Sequence, residues 1–158
     1  MSIEVAERPS LAVVGLHIRT RPMSPEIPKI WPEFVARIPE IEDQAEPRVT
    51  YGVMWHEQGD MENLHYMAAV SVTPPARIPA GMESVVIPAG EWASFRYPLS
   101  RLGEGFGEIF RTLLPQSGLE QAPGPYFERY DEAFCPDEPG SLVQVCLRVR
   151  RRKQAVMS

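Results

Sequence analysis

The sequence predicts an α+β fold. Two strand–helix–strand–strand halves are related by a pseudo-two-fold axis, with their strands in an antiparallel sheet and both helices on one sheet face. Three observations predict it. The order of elements repeats, so that the strand holding Tyr51 is matched 75 positions later by the strand holding Tyr126. Apolar residues recur at helical spacing in residues 25–38 and again in 100–114. The 17 prolines are spread over the chain, which favours many short elements over long helices. The halves fall at about 8–75 and 80–152 of one domain of 158 residues, long enough to bury a core without disulfides or metals.

The first strand is the apolar run "LAVVGLHIRT", Leu11 to Thr20. "RPM" breaks it, and Ser24, Pro25 and Glu26 supply an N-cap, a first helical position and a charge suited to the helix dipole. Ile27, Ile30, Trp31, Phe34, Val35 and Ile38 then fall on one helical face, and Pro39 ends the helix. After the acidic connector "EIEDQAEPR", the run "VTYGVMWHE" reads as a strand, "QGDMEN" as a turn and "LHYMAAVSV" as the returning strand. Extended structure resumes in "ESVVIPAGEWASFRYP", broken at "PAG". Ser100 opens the second helix, whose apolar face is Leu102, Phe106, Ile109, Phe110, Leu113 and Leu114. Gly103, Gly105 and Gly107 weaken it, each by up to about 1 kcal/mol against alanine. "YFERYD" is the next strand, and "LVQVCLRVR" the last, with Val143, Val145, Leu147 and Val149 on one face.

A formal net charge of −5 argues against nucleic acid as the main partner. The basic run "RVRRRK", Arg148 to Lys153, reads as a solvated strand end. No stretch is long and apolar enough to read as a membrane span or a signal peptide, so a cytoplasmic protein is expected. Cys135 and Cys146 lack CxxC spacing and read as free thiols, although a pairing stays open. His56 and His65 flank one turn and could approach each other, but two histidines make a weak metal site; together with His17 they read as surface or structural. "GEGFGE" carries helix-spaced apolar residues and acids, so it is not a phosphate loop. Neither a metal nor a nucleotide cofactor is expected.

"YFERYD" carries the functional question. On a strand Tyr126, Glu128 and Tyr130 share one face. A carboxylate between two tyrosines is solvated, paired with an arginine such as Arg96 or Arg148, or open to a cationic ligand. Under the pseudo-dyad the two third-element strands meet near the middle, and Tyr51, Val53 and Trp55 would oppose Tyr126, Glu128 and Tyr130 across an aromatic cleft. The sheet face without helices, and the seam between halves, would be free for a ligand.

Tyr51-Gly52, "IPAG" (Ile87 to Gly90), "LPQSG" (Leu114 to Gly118) and "PYFERY" (Pro125 to Tyr130), in this order and spacing, resemble the GyrI-like small-molecule-binding family. That family is also the effector-binding domain of AraC-type and multidrug-responsive transcription regulators. The resemblance covers nearly the whole chain. It implies two SHS2-like modules and a cleft for amphipathic, often cationic, aromatic compounds. It makes Glu128 and Tyr51 pocket residues and Trp31 a lining aromatic; Trp55, Tyr66, Trp92, Tyr126 and Tyr130 are the further candidates. The regulators' DNA-reading domain has no counterpart in these residues, so no direct DNA binding is expected. The leading reading is a stand-alone sensor or sequestering domain. One alternative is a hydrolase of reactive cyclopropane-bearing compounds, with Glu128 as base and Tyr51 or Tyr130 as acid. Another is a protein inhibitor of a topoisomerase.

Overall fold

A computed structural model describes residues 3–57, 60 and 62–151. The chain runs β1 (Glu4–Arg8), β2 (Leu11–Thr20), α1 (Glu26–Arg37), β3 (Thr50–Trp55), β4 (Leu64–Val72), β5 (Glu83–Ile87) and β6 (Gly90–Pro98). A helical stretch follows, comprising α2 (Leu102–Glu108), a π-helical turn (Ile109–Leu113) and α3 (Leu114–Gln116). It leads to β7 (Leu119–Gln121), β8 (Tyr126–Tyr130) and β9 (Leu142–Arg151).

The strands lie in the order β1-β6-β9-β8-β3-β4-β2-β5, all pairs antiparallel, with β7 attached to β9 outside this order. Exchanging β1–β4 for β5, β6, β8 and β9 leaves the order unchanged, as a two-fold arrangement about the central β8–β3 pair requires. The predicted elements are present. Beyond them the structure adds β1, whose five residues are too charged to read as a strand, and the three-residue β7.

Two short links bend this sheet. Pro9-Ser10 joins β1, at one end, to β2, seventh in the order; Pro88-Ala89 joins β5, at the other end, to β6. Six strand spacings span about 29 Å in a flat sheet, whereas a two-residue link reaches no more than about 11 Å. The sheet therefore curls until its ends meet. Its inner face becomes a core that draws on both ends: Val13, Tyr51, Val53, Met67, Ile87, Trp92, Phe127 and Cys146. The expectation that the helix-free face is open to a ligand is thus overturned, because the curl closes it.

Both helices pack on the outer face. Under α1 lie Val14, Leu16, Tyr66 and Val70 with Ile30 and Phe34; under the second helical stretch lie Phe95, Tyr97, Val145 and Leu147 with Ile109 and Leu114. Tyr126 packs against both groups, marking the seam between them. The cap of α1 is Pro25, one residue past the expected Ser24, but the Ser24 hydroxyl accepts the Glu26 N–H at 3.1 Å. The π turn, where the Leu114 N–H donates to the Ile109 carbonyl, precedes Pro115, which has no N–H to continue an α-helical ladder. The turn expected at "QGDMEN" lies partly outside the described residues; at its described end the Asp60 carboxylate accepts the Glu62 and Asn63 N–H groups. Arg152 and Lys153 of the basic run also lie outside. Cys135 and Cys146 are both free thiols.

Candidate functional site

The apolar residues that look like one face of α1 divide into two stripes. Ile27, Ile30 and Phe34 turn to the core; Pro28, Trp31, Pro32 and Val35, at i, i+3, i+4 and i+7, face a cleft. The far wall is Leu99, Tyr130, Phe134 and Pro136, and Thr50 adds one hydroxyl. The cleft encloses about 570 Å³, well within the range of small-molecule sites. Trp31 meets the Tyr130 ring edge-on at 5.4 Å, and Phe134 also meets it edge-on at 4.7 Å.

Glu128 lies directly behind these rings. The β3–β8 register sets Gly52 opposite Glu128, and Gly52 leaves the space that the carboxylate and the Tyr66 hydroxyl occupy. A Cβ at Gly52 would stand 2.3 Å from the Tyr66 oxygen and 2.9 Å from Glu128 Oε2. Tyr130 donates a short hydrogen bond to Oε2, and Tyr66 donates another at 3.4 Å; the Trp31 indole N–H in turn donates to Tyr66 at 3.0 Å. Both bonds to the carboxylate fall on Oε2, and among the described residues none reaches Oε1. Among the described residues no Lys or Arg pairs with Glu128 either. Arg148 is turned away, donating to the Pro123 carbonyl.

With 7% of its surface exposed and no cation paired with it among the described residues, Glu128 is costly to ionise. Burial pushes its carboxyl up to about 7, against the two hydrogen bonds that favour the charge. Burial, then the Glu128 charge, raises Tyr66 and Tyr130 well above the ordinary phenol value and Tyr126 to about 12, so all three remain hydroxyl donors. The Tyr126 hydroxyl, at the other end of the seam, is hydrogen-bonded to His56 Nε2 at 2.9 Å.

Of the sequence candidates, the structure brings four together with Glu128: Tyr130 and Tyr66 bond its carboxylate, Trp31 bonds Tyr66, and Tyr126 lies two residues away on the same strand. Three others are not brought there. Tyr51 pairs with Arg129 rather than with Glu128, so it points into the curl, as do Trp55 and Trp92. Strand alternation is the reason: two adjacent antiparallel strands share faces only between paired residues, and Gly52 is the residue paired with Glu128. The Tyr51 hydroxyl donates to Glu46 at 2.5 Å, and Arg129 and Ser71 close the network on the same carboxylate. Trp92 is 1% exposed and packs on Phe127. Trp55 stacks on His17 and His65 at the rim of the curl. His65 and His56 point to opposite faces, so the approach imagined for them does not occur; His65 Nδ1 instead meets His17 Nε2 at 2.8 Å. Among the described residues no group of three or more His, Cys, Asp or Glu is arranged to hold a metal ion, and no helix is long and apolar enough to cross a membrane. Tyr51→Phe is accordingly expected to cost about 1 kcal/mol of stability in urea unfolding, the worth of one hydrogen bond. Binding in the cleft should be unchanged by calorimetry.

Sequence reasoning missed Pro28, Pro32, Phe134 and His56. The i, i+3, i+4, i+7 spacing of the second stripe on α1 was the available signal; His56 had none, because its partner is 70 residues away.

Comparison with known proteins agrees with this architecture. The GyrI-like small molecule binding domain family matches residues 1–150, and the chain belongs to it. The transcriptional regulator BrlR of Pseudomonas aeruginosa is 30% identical over 152 residues, covering 94% of this chain; the chain spans 56% of the length of BrlR. Among solved structures, SAV2435 bound to tetraphenylphosphonium superposes with a TM-score of 0.74 at 13% identity, covering 95% of this chain and 94% of that one. The C-terminal domain of EcmrR gives 0.69 at 14% identity, with 96% and 98% covered. At those identities the structural matches speak for the fold.

Proposed function

We propose that this GyrI-like domain binds amphipathic aromatic cations in the cleft between α1 and the Tyr130–Pro136 segment, as the effector-binding part of a regulatory or sequestering system. One observation carries the reading: a buried carboxylate that has, among the described residues, no cationic partner and no bond to Oε1 sits one phenol ring behind an apolar, aromatic-walled cleft. The apolar lining supplies area, and the faces of Trp31 and Tyr130 add cation–π attraction of about 0.5 to 2 kcal/mol each. Glu128 selects the charge. That SAV2435 holds tetraphenylphosphonium on the same fold supports trying that cation first.

Charge selection links binding to protonation. A bound cation favours the ionised carboxylate, so it lowers the Glu128 pKa from about 7 and expels the proton. Below about pH 7 the apparent affinity therefore falls, and each ligand bound releases close to one proton; above about pH 8 release vanishes and affinity levels off. Titration calorimetry with tetraphenylphosphonium at pH 6, in two buffers of different ionisation heat, measures the release. Triphenylphosphine oxide, neutral and of similar shape, should release none. Release of no proton with the cation at pH 6, or equal affinity for both compounds, would overturn the proposal.

A hydrolytic reading has one observation in its favour: a carboxyl poised near neutral pH with phenols beside it suits a general base. Product formation from a cyclopropane-bearing electrophile, abolished by Glu128→Gln, would establish it. DNA reading is assigned to no part of this stretch, in keeping with its charge of −5, and the free thiols accord with a cytoplasmic setting.

A further inference from the structure

His56 has both ring nitrogens committed. Its Nδ1 lies 2.8 Å from the Asn63 carbonyl oxygen. That oxygen only accepts, so Nδ1 carries the proton and, in the neutral ring, Nε2 is a bare acceptor. The group on Nε2, at 2.9 Å, is the Tyr126 hydroxyl, which must therefore be the donor. The two rings lie nearly parallel, 18° apart, with centroids 6.0 Å apart. Tyr126 is two residues from Glu128 on the same strand face, and it packs against the apolar groups beneath both helices. Its ring thus covers the end of the seam away from the cleft, and its one proton is turned outward to His56.

We propose that His56 is a positioning residue of the Glu128 site: by taking the Tyr126 hydroxyl proton it holds that phenol ring across the inner end of the seam, keeping water and a third hydrogen-bond donor away from the carboxylate. The titratable groups around Glu128 are then Tyr66 from β4, Tyr126 and Tyr130 from β8, and His56 beyond β3; among the described residues no Lys or Arg bonds to the carboxylate. Without its anchor the Tyr126 ring swings, water enters, and the hydroxyl is free to turn inward. Both changes favour the ionised carboxylate, so both move its titration the same way.

The proposal rests on Glu128 being the charge-selecting group, but its test does not need a ligand. Carbon-13 NMR of the side-chain carboxyl follows Glu128 directly in the free protein. In His56→Phe, Glu128 should titrate about one pH unit or more below its wild-type position. His56→Gln, whose amide oxygen can accept the Tyr126 proton, should stay close to wild type. Nitrogen-15 shifts of His56 in the wild type should report the Nδ1–H form. In calorimetry at pH 6, His56→Phe should release distinctly fewer protons per tetraphenylphosphonium bound. An unchanged Glu128 titration in folded His56→Phe, or an Nε2–H tautomer in the wild type, would overturn the role of His56. A shifted titration with no cation binding in any variant would leave it standing and sink the ligand reading instead. If His56→Phe does not fold, Tyr126→Phe takes its place: the anchor is gone but no hydroxyl can turn inward, so a smaller downward move in Glu128, from water entry alone, is expected, and an unchanged titration would overturn the role of the anchor.

Discussion

Glu128→Gln should stabilise the protein by up to roughly 3 kcal/mol at pH 8, leave its stability nearly unchanged at pH 4, and remove selection for cations. The stability effect follows from the raised carboxyl. In the unfolded chain Glu128 titrates near 4.5, and in the folded chain near 7. Below about pH 4.5 both states hold the proton, and burial of the neutral acid costs little. Between 4.5 and 7 the unfolded state ionises while the folded state does not, so stability falls as pH rises. Above 7 the full gap is expressed, and it is worth roughly 3 kcal/mol. Glutamine keeps an oxygen to accept from Tyr66 and Tyr130, yet never carries the charge, so the gap closes. In binding, the lost charge-assisted contact should weaken tetraphenylphosphonium by about 1.5 to 3 kcal/mol, with triphenylphosphine oxide almost unaffected. Urea unfolding of both proteins at pH 4, 6 and 8 and paired titrations measure the two effects. Equal stability changes at all three pH values would mean that Glu128 is not held neutral by burial. Stability gained with function lost is the pattern of a group retained for its ligand rather than for the fold.

How much of this was legible in the sequence divides along physical lines. Periodicity showed the elements, because helices and half-buried strands each leave their own repeat. It could not show the curl, which depends on which strands are neighbours; only the pairing of β1 with β6 and β5 with β2 turns two short links into a closure. The same gap misplaced Tyr51, Trp55 and Trp92. Alternation within β8 correctly grouped Tyr126, Glu128 and Tyr130. The relative register of β3 and β8 is set by long-range pairing, and a shift of one residue exchanges inner and outer faces. A tyrosine next to a glycine drew attention to the tyrosine, whereas the glycine is the member of the pair that faces the site.

Gly52→Ala should therefore cost more than a methyl group in a strand ordinarily does. The added Cβ would stand 2.3 Å from the Tyr66 hydroxyl oxygen, 2.9 Å from the carbon that bears it and 2.9 Å from Glu128 Oε2. None of these atoms is the free end of a flexible chain. Tyr66 is 1% exposed, its ring belongs to the core under α1 and stands edge-on to Trp31 at 6.5 Å, and its oxygen is tied to the Trp31 indole. Relief requires the Tyr66 ring to withdraw toward α1, which breaks its bonds to Glu128 and Trp31. Overpacking costs about 1 to 3 kcal/mol, and the two hydrogen bonds add about 1 kcal/mol each, so a loss of about 3 to 5 kcal/mol is expected, with weakened cation binding because Trp31 moves with Tyr66. Tyr66→Phe deletes the atom in closest conflict. Placed on Gly52→Ala it should recover part of the loss, although alone, without the bonds to Glu128 and from Trp31, it is destabilising by about 2 kcal/mol. Urea unfolding of the wild type, the two single variants and the double variant yields the coupling. Strictly additive costs would show that Gly52 does not serve to seat Tyr66 against Glu128; a double variant more stable than Gly52→Ala would identify the bare backbone at residue 52 as the feature that makes room for the buried carboxylate and its phenols.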